Sequence, residues 1–211
     1  MAIGAGLLSF LLLALAEGLG FRGLGIPRWP WLLAATLLFL WATVTLLLLP
    51  GHFVIPSGIR IAAGALAVAA AGLLLLSLFF ELPAVDAYGA GRPALVTSGT
   101  YALSRHPGVL WFFLLILGLV LAGASRPLLI ALPFWTAADL LLVFLEDRFF
   151  FPRLFGQPYL RYRQEVPFLL PTPSSLRRQW PAVTAGIGRL FGSQDPAHHD
   201  HLKGADHGER N

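Results

Sequence analysis

Two short stretches of this chain hold residue types able to do chemistry, and an apolar run separates them. The first reads Leu95-Val96-Thr97-Ser98-Gly99-Thr100-Tyr101-Ala102-Leu103-Ser104-Arg105-His106-Pro107-Gly108. The second begins Glu146-Asp147-Arg148, passes through Phe155-Gly156-Gln157-Pro158-Tyr159 and Tyr162, and closes with Val166-Pro167 and Pro171. Proline is favourable as the first residue of a helix, so Arg105 and His106 stand immediately before a helix start. An Arg-His pair beside the free backbone N–H groups of such a start suits an anion, a carboxylate or a phosphate. Glu146 and Asp147 suit an amine, a hydroxyl or a sulfonium charge, and the two tyrosines of the second stretch supply rings and hydroxyls. Each residue alone also has a plainer role. Arg105 and Arg148 can extend to lipid headgroups, and Glu146 can pair with Arg148. Gathered at the open end of one hairpin, they favour a site. Arg105 is expected at a wet interface, where its loss would leave the fold intact.

The elements that position these residues follow from composition. Of 211 residues, 56% are hydrophobic and 12% charged, and the mean hydropathy is +0.71. Soluble domains carry about 25% charged residues, so lipid is the solvent here. The length allows one compact unit. The absence of cysteine excludes disulfides, thiolate metal sites and cysteine nucleophiles. The net charge of +4 fits loops facing anionic lipid, and no basic helix or aromatic-basic face points to nucleic acid.

A bilayer core takes about 20 apolar helical residues to cross. Five stretches qualify: 3–21, interrupted by Glu17; 29–51 and 61–80, both uncharged; 107–125; and 127–145, broken only by Asp139. The first lacks a basic leader and a small-residue cleavage site, and is read as a retained span. The expected fold is all-α, a polytopic transmembrane bundle of about five helices ending in a helical hairpin. Alternation of five spans puts thirteen of the fifteen basic residues on one side, leaving only Arg60 and Arg126 on the other. The positive-inside rule then makes the C-terminus cytoplasmic and the N-terminus external, as for a multi-pass plasma-membrane protein. The turn Gly123-Ala124-Ser125-Arg126-Pro127 is too short for anything but a tight hairpin. It brings residues 81–106 and 146–171 together on the cytoplasmic side.

Other features carry less. Asp139 lies two turns before Glu146 on one helical face, where it lines a pocket or pairs with a backbone or hydroxyl group. Glu17 reaches headgroups, Trp29 and Trp31 fit an interfacial anchor, and His52 is assigned nothing. The chain divides into a membrane unit over 1–171, a surface helix over 172–192 and a polar tail over 193–211. Val183, Ile187, Leu190 and Phe191 form the apolar stripe of the surface helix, preceded by Arg177, Arg178 and Trp180. The tail lacks periodicity and is expected to be disordered. Its His198, His199, His201 and His207, with Asp200 and Asp206, offer a metal no fixed geometry, so no metal site is assigned.

The order Gly-x-Tyr, Arg-His-Pro, apolar hairpin, acidic pair, then Phe-Gly-x-x-Tyr-x-x-Tyr-x-x-x-Val-Pro resembles the isoprenylcysteine carboxyl methyltransferase family and the related phospholipid methyltransferases. The resemblance covers residues 95–171. It implies methyl transfer from S-adenosylmethionine, bound over 95–171, to a lipophilic or small thiol or carboxylate acceptor arriving from the bilayer. Arg105 and Glu146 would be the catalytic pair. Gly99, Tyr101, Arg105, His106, Pro107, Glu146, Tyr159 and Tyr162 would contact the cofactor. Methyl transfer is an in-line displacement that needs alignment and desolvation more than acid-base work. An arginine suits the methionyl carboxylate, an acid the amino or ribose groups, and aromatic rings the sulfonium. Two positions depart from the family pattern: Val109 stands where a tyrosine is common, and Asp147 where glutamate is frequent. A second resemblance, to NADPH-dependent sterol-type reductases, is opposed by Arg-His-Pro-Gly in place of their Asn-Tyr-x-Gly-Glu. A catalytically silent member of the fold is the third alternative, supported by Val109.

Overall fold

The computed structural model describes residues 1–21, 27, 29–81, 95–173, 176–177 and 180–181. The architecture is all-helical, with no strand among the described residues. The five long helices are α1 (Ala2–Phe21), α2 (Trp29–Leu48), α3 (Ser57–Leu75), α4 (Pro107–Gly123) and α5 (Arg126–Leu145). Two short ones follow, α6 (Phe151–Phe155) and α7 (Gln157–Glu165).

Helix boundaries depart from the hydropathy runs for local reasons. Helix α2 stops at Leu48 because Pro50 lacks an N–H and disfavours helical geometry in the residue before it. Helix α3 begins at Ser57, ahead of the uncharged run. Pro56 caps it, and its carbonyl accepts from Ile59 N at 3.0 Å and Arg60 N at 3.2 Å. Helix α3 ends at Leu75, inside its apolar run, and α5 ends at Leu145, where its run ends, yet the chain stays helical beyond both. Each widens into a π-helical turn, Leu76–Glu81 after α3 and Glu146–Phe150 after α5. Such turns concentrate at functional sites.

Two packing modes hold the bundle. Between α1, α2, α4 and α5, rings interlock. Phe39 lies 5.8 Å from Phe10, 5.5 Å from Phe112 and 4.8 Å from Trp135. Trp135 is fully buried and donates Nε1–H to the Ile3 carbonyl at 3.1 Å. Its ring lies so close to Gly6 that a Cβ there would collide with it. Between α3 and α4, small residues let backbones touch. A Cβ on Gly118 would lie 2.9 Å from the Ala63 carbonyl oxygen and from Ala67. In lipid, such close packing replaces the hydrophobic drive of soluble bundles.

The turn between α4 and α5 is fixed by Ala124, left-handed at φ 49°, and by Ser125, whose Oγ accepts from Leu128 N at 3.3 Å. The same hydroxyl donates to the Leu46 carbonyl at 2.8 Å. Backbone bonds from Phe53 to Ala124 and from Arg126 to Gly51 tie in the preceding loop, and His52 forms an antiparallel bridge with Ser125.

Leu37, Leu40, Val68, Ile130, Phe134 and Leu141 face outward, as do Trp29 and Trp31. By length and composition three helical segments can cross a bilayer: Trp29–Leu48, Ser57–Leu78 and Arg126–Phe155. Ala2–Ala16 and Pro107–Gly123 are shorter apolar helices. This is a membrane protein. Arg22, Arg28, Arg92, the Glu17 side chain, the stripe from Val183 to Phe191 and the histidine-bearing tail lie outside the described residues.

Candidate active site

At the end of the bundle opposite the turn, three backbone devices converge. Residues Gly99–Ala102 form a single 3₁₀ turn, entered at Gly99 with φ 64°, and His106 then leads into α4 with Pro107 in its first turn. The π-helical turn after α5 carries Glu146 and Asp147, and α6 follows directly. Gly156, at φ 62° and ψ −136°, breaks the chain between α6 and α7 in a conformation open essentially to glycine alone. That break folds α7 back against the approach to α4.

The wide turn has a chemical consequence. Glu146 and Asp147, adjacent in sequence, are both buried, at 8% and 4% exposure, while Arg148 stays exposed. Asp147 is the hub. Its Oδ1 accepts from the Tyr159 hydroxyl at 2.6 Å and lies 3.2 Å from Arg105 Nη1 and 3.6 Å from His106 Nε2. Its Oδ2 lies 3.5 Å from Arg163 Nε.

Aromatic rings surround this polar knot. His106 stacks on Phe151 at 6.0 Å and meets Phe168 edge-on at 5.0 Å. The Arg105 guanidinium lies 5.6 Å from the Phe168 ring centroid. Backbone contacts lock the two segments together: Arg105 N donates to the Pro167 carbonyl at 3.0 Å, and Ser104 Oγ to the Phe168 carbonyl at 3.3 Å. A second tie runs outward. The Tyr162 hydroxyl donates to the Tyr101 carbonyl at 2.6 Å, and the Tyr101 hydroxyl reaches the Ser77 carbonyl, in the π turn of α3, at 3.4 Å. Burial, and for Tyr159 the neighbouring Asp147 carboxylate, hold both α7 phenols well above the ordinary tyrosine range.

The expected residues can be placed one by one. Tyr101, Arg105, His106, Tyr159 and Tyr162 meet in this cluster. Gly99 and Pro107 are buried in the backbone that supports it, and Glu146 is buried one residue from its hub. Arg105 requires a correction. Its side chain is only 8% exposed and is paired with a carboxylate, so it is not at a wet interface. Glu146 is the acid the sequence singled out, yet it is Asp147 whose carboxylate meets the Arg-His pair. The signal was present in an acid following Glu146 and facing Arg-His across the hairpin, but sequence alone gives no reason to prefer one over the other. Arg163, Phe168, Ser104 and Ser77 carried no signal, since each matters only through contacts across the fold. Val109 is buried on α4 and offers the cluster no hydroxyl. Asp139 is half-buried on α5.

Residues 59–157 match the family model for phospholipid methyltransferases. The matched segment is similar to that family, which is part of the membrane methyltransferase group. The isoprenylcysteine carboxyl methyltransferases belong to the same group. The phospholipid methyltransferase match spans α3, the Arg-His-Pro segment, the hairpin and both acids, and stops short of Tyr159. With the apolar helices, it supports a membrane methyltransferase at the family level. No curated protein matches the chain, and no solved structure does.

Proposed function

We propose that the protein transfers a methyl group from S-adenosylmethionine to a lipophilic or small-molecule acceptor, with the cofactor held against the Asp147-centred cluster. One observation carries this reading. Arg105 is buried with Nη1 on Asp147, and among the described residues its Nε–H meets no acceptor. A buried donor without a partner costs about 1–3 kcal/mol. That cost is relieved when an anionic oxygen arrives, and the methionyl carboxylate is such a group. Gly99, Tyr101, Arg105, His106, Pro107, Glu146, Tyr159 and Tyr162 would hold the cofactor, with Arg105 and Glu146 closest to the chemistry. When bound, the cofactor supplies a methyl group already activated on a sulfonium sulfur. The chain's own contribution is to bind, orient and exclude water. Arg105 fixes the anionic end, the rings of Tyr159 and Phe168 tolerate positive charge, and the packed 95–106 and 156–168 segments shut out solvent. The thirteen-to-two division of basic residues supports a cytoplasmic location for this end.

Equilibrium binding in detergent tests the reading, with S-adenosylmethionine and NADPH as competing candidates and a labelled methyl donor to follow transfer. Saturable S-adenosylmethionine binding is expected, weakened roughly ten- to a hundredfold in Arg105→Ala, with Arg105→Lys in between, since lysine keeps the charge but has no Nε–H fork. Binding of NADPH alone would instead favour the reductase alternative. Cofactor binding without transfer to any lipid or thiol would favour a silent member.

A further inference from the structure

We infer that Asp147 is a positioning residue, one that acts on the cofactor only through Arg105. This rests on the methyltransferase reading above and divides the acidic pair into two jobs. The Asp147 carboxylate is engaged by four side chains: Tyr159 at 2.6 Å, Arg105 at 3.2 Å, His106 at 3.6 Å and Arg163 at 3.5 Å. Both carboxylate oxygens are thus already engaged, whereas among the described residues Arg105 Nε–H is a donor with no acceptor. What the carboxylate offers is orientation. By fixing Arg105 Nη1, which also approaches the Arg163 carbonyl at 3.5 Å, it holds the guanidinium plane so that Nε–H, the donor without an acceptor, is the edge left for an incoming anion. The shorter side chain suits the task. Asp147 sits on the tightly packed Tyr159, and a glutamate at that position would place its carboxylate one methylene further along.

A double-mutant cycle separates positioning from direct contact. Dissociation constants for S-adenosylmethionine are measured on the full-length protein in detergent for wild type, Asp147→Asn, Arg105→Ala and the double variant. If Asp147 works through Arg105, each single change weakens binding about tenfold or more. The double variant then binds no more weakly than Arg105→Ala alone. Effects that multiply would mean that Asp147 touches the ligand independently, and would overturn the inference. So would an Asp147→Asn protein that binds like wild type. Should Asp147→Asn fail to fold, the double variant, in which both buried charges are gone, still carries the comparison with Arg105→Ala. An additional tenfold loss between those two would refute the proposal. A wild type that binds no S-adenosylmethionine removes the methyltransferase reading and this inference together. A binding wild type with a multiplicative cycle removes this inference alone.

Discussion

The two ends of the α4–α5 hairpin are held by different physics. At the turn, Ser125 caps α5 and bonds to α2, and backbone groups of Gly51, Phe53, Ala124 and Arg126 pair with one another. Arg60 closes the same end by donating Nε–H to the Ala122 carbonyl at 3.0 Å. Among the described residues no carboxylate takes part, and each group satisfies a donor or acceptor that the helix ends would otherwise leave open. At the site end, a buried carboxylate meets two arginines and a histidine, and two π-helical turns replace regular helix. Buried ion pairs recover their desolvation cost only with excellent geometry. A fold needing only to close a hairpin has the cheaper solution at its other end. The costly arrangement at the site end is what the proposed site would explain.

Breaking the site end should have the largest effect. Asp147→Ala strands the Arg105 charge in a dry setting, and loss of one partner of a buried pair costs about 3–5 kcal/mol. Thermal unfolding in detergent should show a correspondingly large drop, and cofactor binding should fail. Tyr162→Phe removes the donor to the Tyr101 carbonyl and should cost about 1–2 kcal/mol, read by the same melt. It should also change the alkaline response. The Tyr159 and Tyr162 phenols are raised above the ordinary tyrosine value of 10.0, so the folded state holds their protons more tightly than the unfolded chain. Their contribution to stability is complete below that value and is lost as pH climbs through the folded values. A wild type losing stability above pH 10.0 more steeply than Tyr162→Phe is the expected result.

Breaking the turn end should separate stability from function. Ser125→Ala loses a helix cap, worth about 0.5–2 kcal/mol, together with the bond to Leu46. Melting should fall while the S-adenosylmethionine dissociation constant holds, and a weakened constant would mean that the two ends are coupled. The smallest effect belongs to the tail. Its polarity and lack of an apolar stripe mean that removing residues 193–211 should alter neither melting nor binding.

Much of the fold was legible because its signals are local. Apolar runs and prolines located five helices, since hydrocarbon imposes length and charge limits that any sequence must display. Departures at the boundaries came from short-range chemistry, as at Pro50 and Pro56. The π-helical extensions were not legible. Leu76–Glu81 and Glu146–Phe150 contain nothing that forbids an ordinary helix, and neighbouring elements must favour the wider turn.

The candidate site divides the same way. The sequence alone determined which residues gather: an Arg-His-Pro start, an acidic pair and a tyrosine-bearing return, brought to one end by a turn too short to do otherwise. Which acid faces the arginine was decided only by tertiary structure. Glu146 and Asp147 are adjacent and alike in charge, and a regular helix would point them about 100° apart. The π-helical turn buries both, and the fold-back at Gly156 delivers Tyr159 and Arg163 to Asp147. That choice depends on where α7 lies in space, and no spacing along the chain records it.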